Sequence, residues 1–246
     1  YEVFNIQLSN PSDEDVTFDL TPNEGSATEA DYTPVVEVSN DGGLTWTTAT
    51  NATIPAGQTE VQARVKTTDD DTDEVVEEFT LTADITSGNT TNTSSTGTAT
   101  ILDNDGTPEI VISDSSVNEE DGLLTFVVSL SNPSDQTITV VYTTADGTAI
   151  AGSDYVSTSE TITFAPGETS KTITVAVLDD NVFEQPESMY VNLTDPTNAT
   201  IADDQGEGRI YDTDVPSLSV SNTEAVEGQY EVFNIQLSNP SDEDVT

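Results

Sequence analysis

The stretch EIVISDSSVNEEDGLLTFVVSLSNPSDQTITVVYTT, Glu109 to Thr144, decides the fold. Apolar residues fall on every second position of its runs: Ile110 and Ile112, then Phe126, Val128 and Leu130, then Ile138, Val140 and Tyr142. Successive side chains of a strand point to opposite faces, so alternation of this kind marks half-buried strands. The pattern continues through Ile162 and Phe164, through Ile173, Val175 and Val177, through Met189, Val191 and Leu193, and closes at Ile210. Turn chemistry (NPSDQ, DG, GSD, APGE, DPTN) separates the runs, which predicts seven short strands over roughly 110 residues. No segment keeps a helical period. The expected fold is all-β, an antiparallel sandwich of immunoglobulin-like type.

Toward the N-terminus the same order recurs in different words. Phe4, Ile6 and Leu8 stand before SNPSDED as Phe126, Val128 and Leu130 stand before SNPSDQT. IPAGQTEVQARV (Ile54 to Val65) matches FAPGETSKTITV, Phe79 and Leu81 match the sixth strand, and ATILDND matches RIYDTD. At the C-terminus the match becomes identity: Tyr230–Thr246 repeats Tyr1–Thr17, YEVFNIQLSNPSDEDVT, without a mismatch. The chain therefore reads as a window on a tandem array whose unit holds two related domains. Residues 1–105 are expected to form a first domain lacking its opening strand. Residues 106–214 form a complete domain, and 215–246 supply the first two strands of a third, which repeats the first. The partner of EIVISDSSVNEEDG in that third domain is SLSVSNTEAVEGQ, Ser217 to Gln229. The first domain then has an open edge and the tail carries strands that fit it; unpaired edges are association sites. The linkers around Pro108 and Pro216 are short and not Gly/Ser-rich, which predicts stiff connections.

Charge narrows the function. Four Lys and Arg stand against 47 Asp and Glu, a formal charge of −43. Nothing can neutralise phosphates, so nucleic acid is excluded as a partner, and an anionic membrane surface with it. No apolar run approaches the ~20 residues of a membrane span, so no membrane insertion is expected. Self-repulsion on this scale leaves either disorder or a screening cation. The 33% hydrophobic content and its strict alternation argue against disorder. With no Cys and no His, thiolate and imidazole chemistry and disulfides are all absent.

The acidic residues recur in matched clusters at loops and strand ends. In residues 106–214 they are Glu119, Glu120 and Asp121; Asp146 and Asp154 in ADGTAIAGSDY; Asp179, Asp180, Glu184 and Glu187 in LDDNVFEQPE; and Asp212 and Asp214. In residues 1–105 they are Glu24 and Asp31 in NEGSATEADY; Asp69, Asp70, Glu74 and Glu77; and Asp103 and Asp105. The missing first cluster is supplied by Glu224 and Glu227. Alternate loops of a Greek-key sandwich gather at one pole, which would bring several carboxylates together. Hard oxygen donors with no nitrogen or sulfur select Ca²⁺, which takes about 6–8 oxygens. Several ions are expected. A general acid/base pair would need a cleft, which nothing indicates, so no enzyme is expected.

The run VNEEDG, then DGTAIAGSDY, then ITFAPGETSKTITVAVLDDNVFEQPE, then IYDTD closely resembles Calx-beta domains. That family includes calcium-sensing domains of sodium/calcium exchangers and repeats of large bacterial surface proteins. Residues 1–105 resemble it less tightly: Glu24 replaces the Asp of DGTA, one residue is lost before Asp31, and SNDGGLTWTT is inserted. The resemblance implies Ca²⁺ ligands at Glu119 or Glu120, Asp146, Asp179, Asp180, Glu184, Glu187, Asp212 and Asp214. By position it implies Glu24, Asp69, Asp70, Glu74, Glu77, Asp103 and Asp105 in the first domain, with Glu227 in the tail.

Three roles are weighed. The first is a structural repeat of an extracellular or cell-surface bacterial protein, stiffened by Ca²⁺ at domain junctions, as in an adhesin stalk. The second is a self-assembling filament or tube subunit, in which strands of residues 217–246 complete the first domain of a neighbour. The third is a calcium-sensing regulatory module. The chain's main expected partner is itself, head-to-tail or in a covalent array, beside an unidentified surface or glycan ligand. Trp46 reads either as a sugar-stacking platform or as a cap on the sandwich end. SGNTTNTSSTGT (Ser87 to Thr98) reads as an exposed, flexible hairpin.

Overall fold

The computed structural model describes every residue except Glu243 and Thr246. The chain divides into two compact units, Tyr1–Asp105 and Gly106–Thr246, the second including the tail. No helix among the described residues is long and apolar enough to cross a membrane.

The first unit contains strands β1 (Glu2–Gln7), β2 (Val16–Asn23), β3 (Tyr32–Ser39), β4 (Thr47–Thr48), β5 (Asn51–Ile54), β6 (Glu60–Thr67), β7 (Glu77–Ser87) and β8 (Ser94–Ile101). They form two four-stranded sheets, β1-β6-β3-β4 and β5-β2-β7-β8. The inward residues of both sheets make one core, in which Val16, Phe18, Tyr32, Ile54, Val65 and Phe79 are buried. Each such side chain contributes about 1.5–3 kcal/mol by leaving water. Tyr32 stacks on Phe79 at 4.3 Å, and Phe4 meets Phe79 edge-on at 6.0 Å.

The second unit contains β9 (Glu109–Ile112), β10 (Ser115–Asn118), β11 (Leu123–Leu130), β12 (Ile138–Asp146), β13 (Ser159–Phe164), β14 (Ser170–Ala176), β15 (Glu187–Thr197), β16 (Thr200–Ile201) and β17 (Gln205–Tyr211). Its sheets are β14-β11-β9-β16 and β10-β17-β15-β12-β13, around a core that includes Ile110, Leu124, Phe126, Phe164, Val175 and Met189. This is the expected sandwich with two departures from antiparallel pairing, β16 running parallel to β9 and β10 parallel to β17. The opening strand changes sheets: β9 runs antiparallel to β11, and β10 runs parallel to β17. The crossing is held by side chains, since the Ser113 hydroxyl accepts the Val127 N–H (2.9 Å) and Asp114 accepts the Glu207 N–H (2.8 Å). Simple alternation in EIVIS and SSVNE carries no sign of that switch.

In the tail, β18 (Leu218–Val220) and β19 (Ile235–Leu237) pair antiparallel. The hairpin repeats the opening of the second domain: Asn234 N–H donates to Ser221 Oγ, and Ser217 N–H to Ser238 Oγ (2.8 Å), as Glu109 N–H donates to Ser131 Oγ (2.9 Å).

The expected hairpin at Ser87–Thr98 is present, with Ser87 ending β7 and Ser94–Thr98 opening β8. The SNDGGLTWTT insertion forms the β3–β4 hairpin, where the Trp46 indole N–H donates to Gly43 O (3.0 Å) and its ring lies 4.4 Å from the Arg64 guanidinium.

Candidate metal centres

Two loops meet at one end of each domain, and the backbone of one fixes the other. In the second domain Ala149 N–H donates to Ser188 O (2.9 Å), and Ser188 N–H donates to Thr148 Oγ1 (2.8 Å). In the first domain Ala27 N–H donates to Glu78 O (3.0 Å), and Glu78 N–H donates to Ser26 Oγ (2.8 Å). The approach demands glycine. A Cβ on Gly147 would lie 2.4 Å from Ser188 O, and one on Gly25 would lie 2.3 Å from Glu78 O. This docking ties the DGTA-type loop to the first residues of β15 and β7, which begin with Glu187 and Glu77.

The result is the same triad twice. Carboxylate oxygens of Asp31, Glu74 and Glu77 all lie within 4.8 Å of one another, and so do those of Asp154, Glu184 and Glu187. One oxygen of each aspartate is engaged locally: Asp31 Oδ2 accepts the Thr28 N–H and Asp154 Oδ2 accepts the Ile150 N–H, both at 2.6 Å. Further carboxylates hold the glutamate-bearing loops. Asp103 Oδ2 accepts the Glu74 N–H (3.2 Å) and Asp212 Oδ2 accepts the Glu184 N–H (2.5 Å). Asp70 accepts the Thr72 N–H (2.8 Å) and Asp180 the Val182 N–H (2.6 Å). In the second domain the buried Glu119, 5% exposed, accepts the Asp180 N–H at 3.0 Å.

The electrostatics are unfavourable as they stand. At an effective dielectric of about 20, two carboxylates about 4.8 Å apart repel by roughly 3.5 kcal/mol. Three such pairs rival the ~5–15 kcal/mol stability of a whole domain. Three of the four basic side chains are engaged elsewhere, Arg64 by Glu37, Lys171 by Glu168 and Arg209 by Glu207. Accordingly, burial first, and then the neighbouring carboxylates, push Glu74, Glu119 and Glu187 up to about 7. Glu184 is raised by the same causes, among which Asp154, Asp180, Asp242 and Asp212 are its charged neighbours.

A bound divalent cation would resolve this conflict. Opposite oxygens of a Ca²⁺ shell stand about 4.6–5.2 Å apart, so each triad fits within one coordination sphere. In the first domain a cavity of about 100 Å³ is lined by Asp31, Asp69, Asp70, Glu74, Asp103 and Asp105. The donors are all oxygen, which suits a hard cation.

The structure sorts the expected ligands. Glu74, Glu77, Glu184 and Glu187 enter the triads, while Asp69, Asp70, Asp103 and Asp105 line the first-domain cavity. Asp180 and Asp212 lie close enough to raise Glu184 and Glu119. Asp146 lies outside the triad, and one of its oxygens is engaged locally: Oδ1 accepts the Tyr155 hydroxyl (2.6 Å) and the Ala151 N–H (2.9 Å). That holds its carboxyl below the usual range, and Tyr155 rises to about 12 through burial and this bond. Glu24, Glu120 and Asp179 are exposed, and Glu227 lies in the exposed turn between β18 and β19.

Asp31 and Asp154 were absent from the ligand set implied by resemblance, yet both triads contain them. Their signal was present, as the acidic residue preceding a buried Tyr (Tyr32, Tyr155) in matched clusters. Asp242 was missed altogether. Phe183 N–H donates to Pro240 O (3.0 Å) and Asp242 N–H donates to Phe183 O (3.2 Å), so the tail's SNPSD turn sits on the LDDNVFEQPE loop. From there Asp242 adds its charge to Glu184 and Glu187.

A family model described as the Calx-beta domain matches residues 2–107 and again residues 103–214. Sodium/calcium exchanger 1 of Canis lupus familiaris is 44% identical over 70 residues, 28% of this chain and 7% of that protein. Sodium/calcium exchanger 2 of Rattus norvegicus is 42% identical over 72 residues, 29% of this chain and 8% of that protein. The chain thus spans only 7–8% of the length of these relatives. Among solved structures, the apo-form Calx CBD1 domain matches 44% of this chain and 100% of its own, at 27% identity and a TM-score of 0.42. The CBD12 of CALX1.2 matches 85% of this chain and 92% of its own, at 17% identity and a TM-score of 0.40. With both halves matched by one family model, the chain belongs to the Calx-beta domain family, with two such domains in tandem.

Proposed function

We propose that each domain binds Ca²⁺ through its triad, Asp31–Glu74–Glu77 in the first and Asp154–Glu184–Glu187 in the second, and that the chain is a non-catalytic structural repeat of an extracellular bacterial surface protein. The observation that carries the metal reading is the recurrence of one triad in two domains of divergent sequence. Repetition supports the structural role, since Tyr230–Thr246 restates Tyr1–Thr17 residue for residue and copies in series extend a rod but add little to a catalyst. The SNPSD turn of the tail lying on the second domain's acidic loop supports a junction that bound metal would stiffen.

The similarity to sodium/calcium exchangers favours a second reading, a calcium-sensing module. Affinity separates the two. Extracellular modules bind Ca²⁺ with Kd of about 10⁻⁴–10⁻³ M, and sensors at about 10⁻⁷–10⁻⁵ M. Calorimetric titration of the chain with CaCl₂ is expected to show binding in both domains with Kd above about 10⁻⁴ M. Micromolar binding would move the chain to the sensor class, and no binding heat would remove the metal reading. Anomalous scattering from a Ca²⁺-grown crystal would place the ions.

A further inference from the structure

The chain's one tryptophan lies outside both cores, on the outer face of a sheet. In β6 the buried Val61, Ala63 and Val65 face the core, so Gln62, Arg64 and Lys66 face outward. On β1, Asn5 stands opposite Gln62 and Val3 opposite Arg64, and on β3 Glu37 stands opposite Arg64. The Arg64 guanidinium lies 4.1 Å from the centre of the Tyr1 ring and 4.4 Å from that of Trp46. Its Nε donates to Glu37 at 2.6 Å, and the Gln62 amide donates to Asn5 Oδ1 at 2.9 Å.

The hairpin that carries Trp46 is wired to hold it there. Asp41 accepts the Thr45 N–H (2.9 Å) and the hydroxyls of Ser39 (2.7 Å) and Thr45 (2.5 Å). Ser39 Oγ accepts the Gly43 N–H at 2.9 Å. Gly42 and Gly43 take left-handed φ values of 73° and 86°, which closes the turn. The second domain has no such arrangement. Its pairs Thr125–Thr174 and Val127–Thr172 occupy the places of Val3–Arg64 and Asn5–Gln62, and the SNDGGLTWTT insertion is absent from it.

We propose that this face of the first domain binds a neutral saccharide. An aromatic ring offers a flat apolar surface to the C–H face of a pyranose. The amides of Asn5 and Gln62, the Arg64 guanidinium and the Glu37 carboxylate offer donors and acceptors to its hydroxyls. Those groups are already held by one another and by the hairpin, so binding has little left to order. Charge selects a neutral partner. Strands β3 and β6 carry Glu37 and Glu60 against Arg64 and Lys66, a balanced set, while the whole chain at −43 repels an acidic polymer. A cationic partner would be drawn to the acidic loops instead. The apolar part of the face, Trp46 with Tyr1 and Val3, is small beside the ~800 Å² a side of a stable protein contact. No triad residue belongs to the site, so it stands apart from the metal reading.

Trp46 reports on its own site, because its indole is the only one in the chain. The whole chain in Ca²⁺ buffer is applied to an array of glucan, mannan, galactan and N-acetylglucosamine oligomers beside uronates and sulfated glycans. Hits are then titrated as free oligosaccharides against tryptophan fluorescence. The expected result is binding to neutral glycans with a saturable shift of the emission. Gln62→Ala, which leaves the ring in place, should weaken binding by about fivefold, the scale of one lost hydrogen bond. Trp46→Ala should abolish array binding. An array with no neutral hit above the Trp46→Ala background overturns the proposal. So do hits confined to acidic glycans, and so does glycan binding that both variants retain. Self-association lost in Trp46→Ala, without glycan binding, would make the face a protein contact and overturns it as well.

Discussion

The two domains reach one arrangement by different loops. ADGTAIAGSDY carries Asp154, and NEGSATEADY, one residue shorter, carries Asp31. The residue at the head of the loop changes from Asp146, which binds Tyr155 and Ala151, to an exposed Glu24. What both keep is the docking of Ala27 or Ala149 onto the first turn of β7 or β15, with a glycine where a Cβ would strike a carbonyl. The triad is therefore set by backbone docking, and the loop's leading carboxylate is free to vary. The second domain also shows Glu119, buried on the segment that follows the opening strand, whose carboxylate accepts the Asp180 N–H of the triad's loop.

The largest test of this arrangement is removal of the metal. Chelation with EGTA should lower the melting temperature of the chain by tens of degrees, because the crowded carboxylates of each triad lose their counter-charge. A melt that ignores EGTA would end the metal account.

Next in size are the triads themselves. Glu187→Gln should weaken Ca²⁺ binding on the order of 100-fold in the second domain only, and Glu77→Gln should do the same in the first. Titration calorimetry on each variant reads both domains. Loss in both from one substitution would mean that the triads are not independent. Glu119→Gln should cost the second domain about tenfold, the scale of a lost supporting contact.

Much of this was legible in the chain. The sandwich class, seven of the second domain's nine strands, and the pairing of Asp70–Glu74–Glu77 with Asp180–Glu184–Glu187 follow from alternation and spacing; the short β10 and β16 do not. Alternation is imposed by burial on one face, and spacing survives because loop docking fixes it. Two further features were not legible. The sheet switch at Ser113–Asp114 depends on side chains capping N–H groups of β11 and β17, far away in sequence. Asp242 counts only because its turn bonds to Phe183, a contact no local pattern announces. The resemblance also favoured Asp146 over Asp154, whereas the structure ties Asp146 to Tyr155 and brings Asp154 to the glutamates.

Protons and metal should compete at the same carboxylates, which gives a pH test with a definite sign. Glu74, Glu119 and Glu187 are raised from the usual 4.5 to about 7 in the folded, metal-free chain. The stability they contribute when protonated is complete below 4.5 and is lost as pH rises through about 7. Metal-free protein should therefore melt higher at pH 5.5 than at pH 8. With millimolar Ca²⁺ the order should reverse, because the ionised form is the one that binds. Equal melts at the two pH values without metal would mean that the three glutamates are not crowded as described.

The smallest effect tests the finest part of the comparison. Asp13, Asp135 and Asp242 hold the same place in SNPSD, yet only Asp242 is described on the acidic loop of the second domain. Its carboxylate is exposed, so its attraction for a bound cation is worth about 1 kcal/mol or less and is screened by salt. Asp242→Ala should weaken second-domain Ca²⁺ binding by a few-fold at low ionic strength and by almost nothing in 0.5 M KCl, while Asp13→Ala changes neither domain. If Asp13→Ala matched Asp242→Ala, the effect would come from net charge alone, and position on the loop would count for nothing. If Asp242→Ala alone weakened binding and the loss persisted in salt, Asp242 would be a direct ligand, and the second domain's site would be shared with the repeat that follows it.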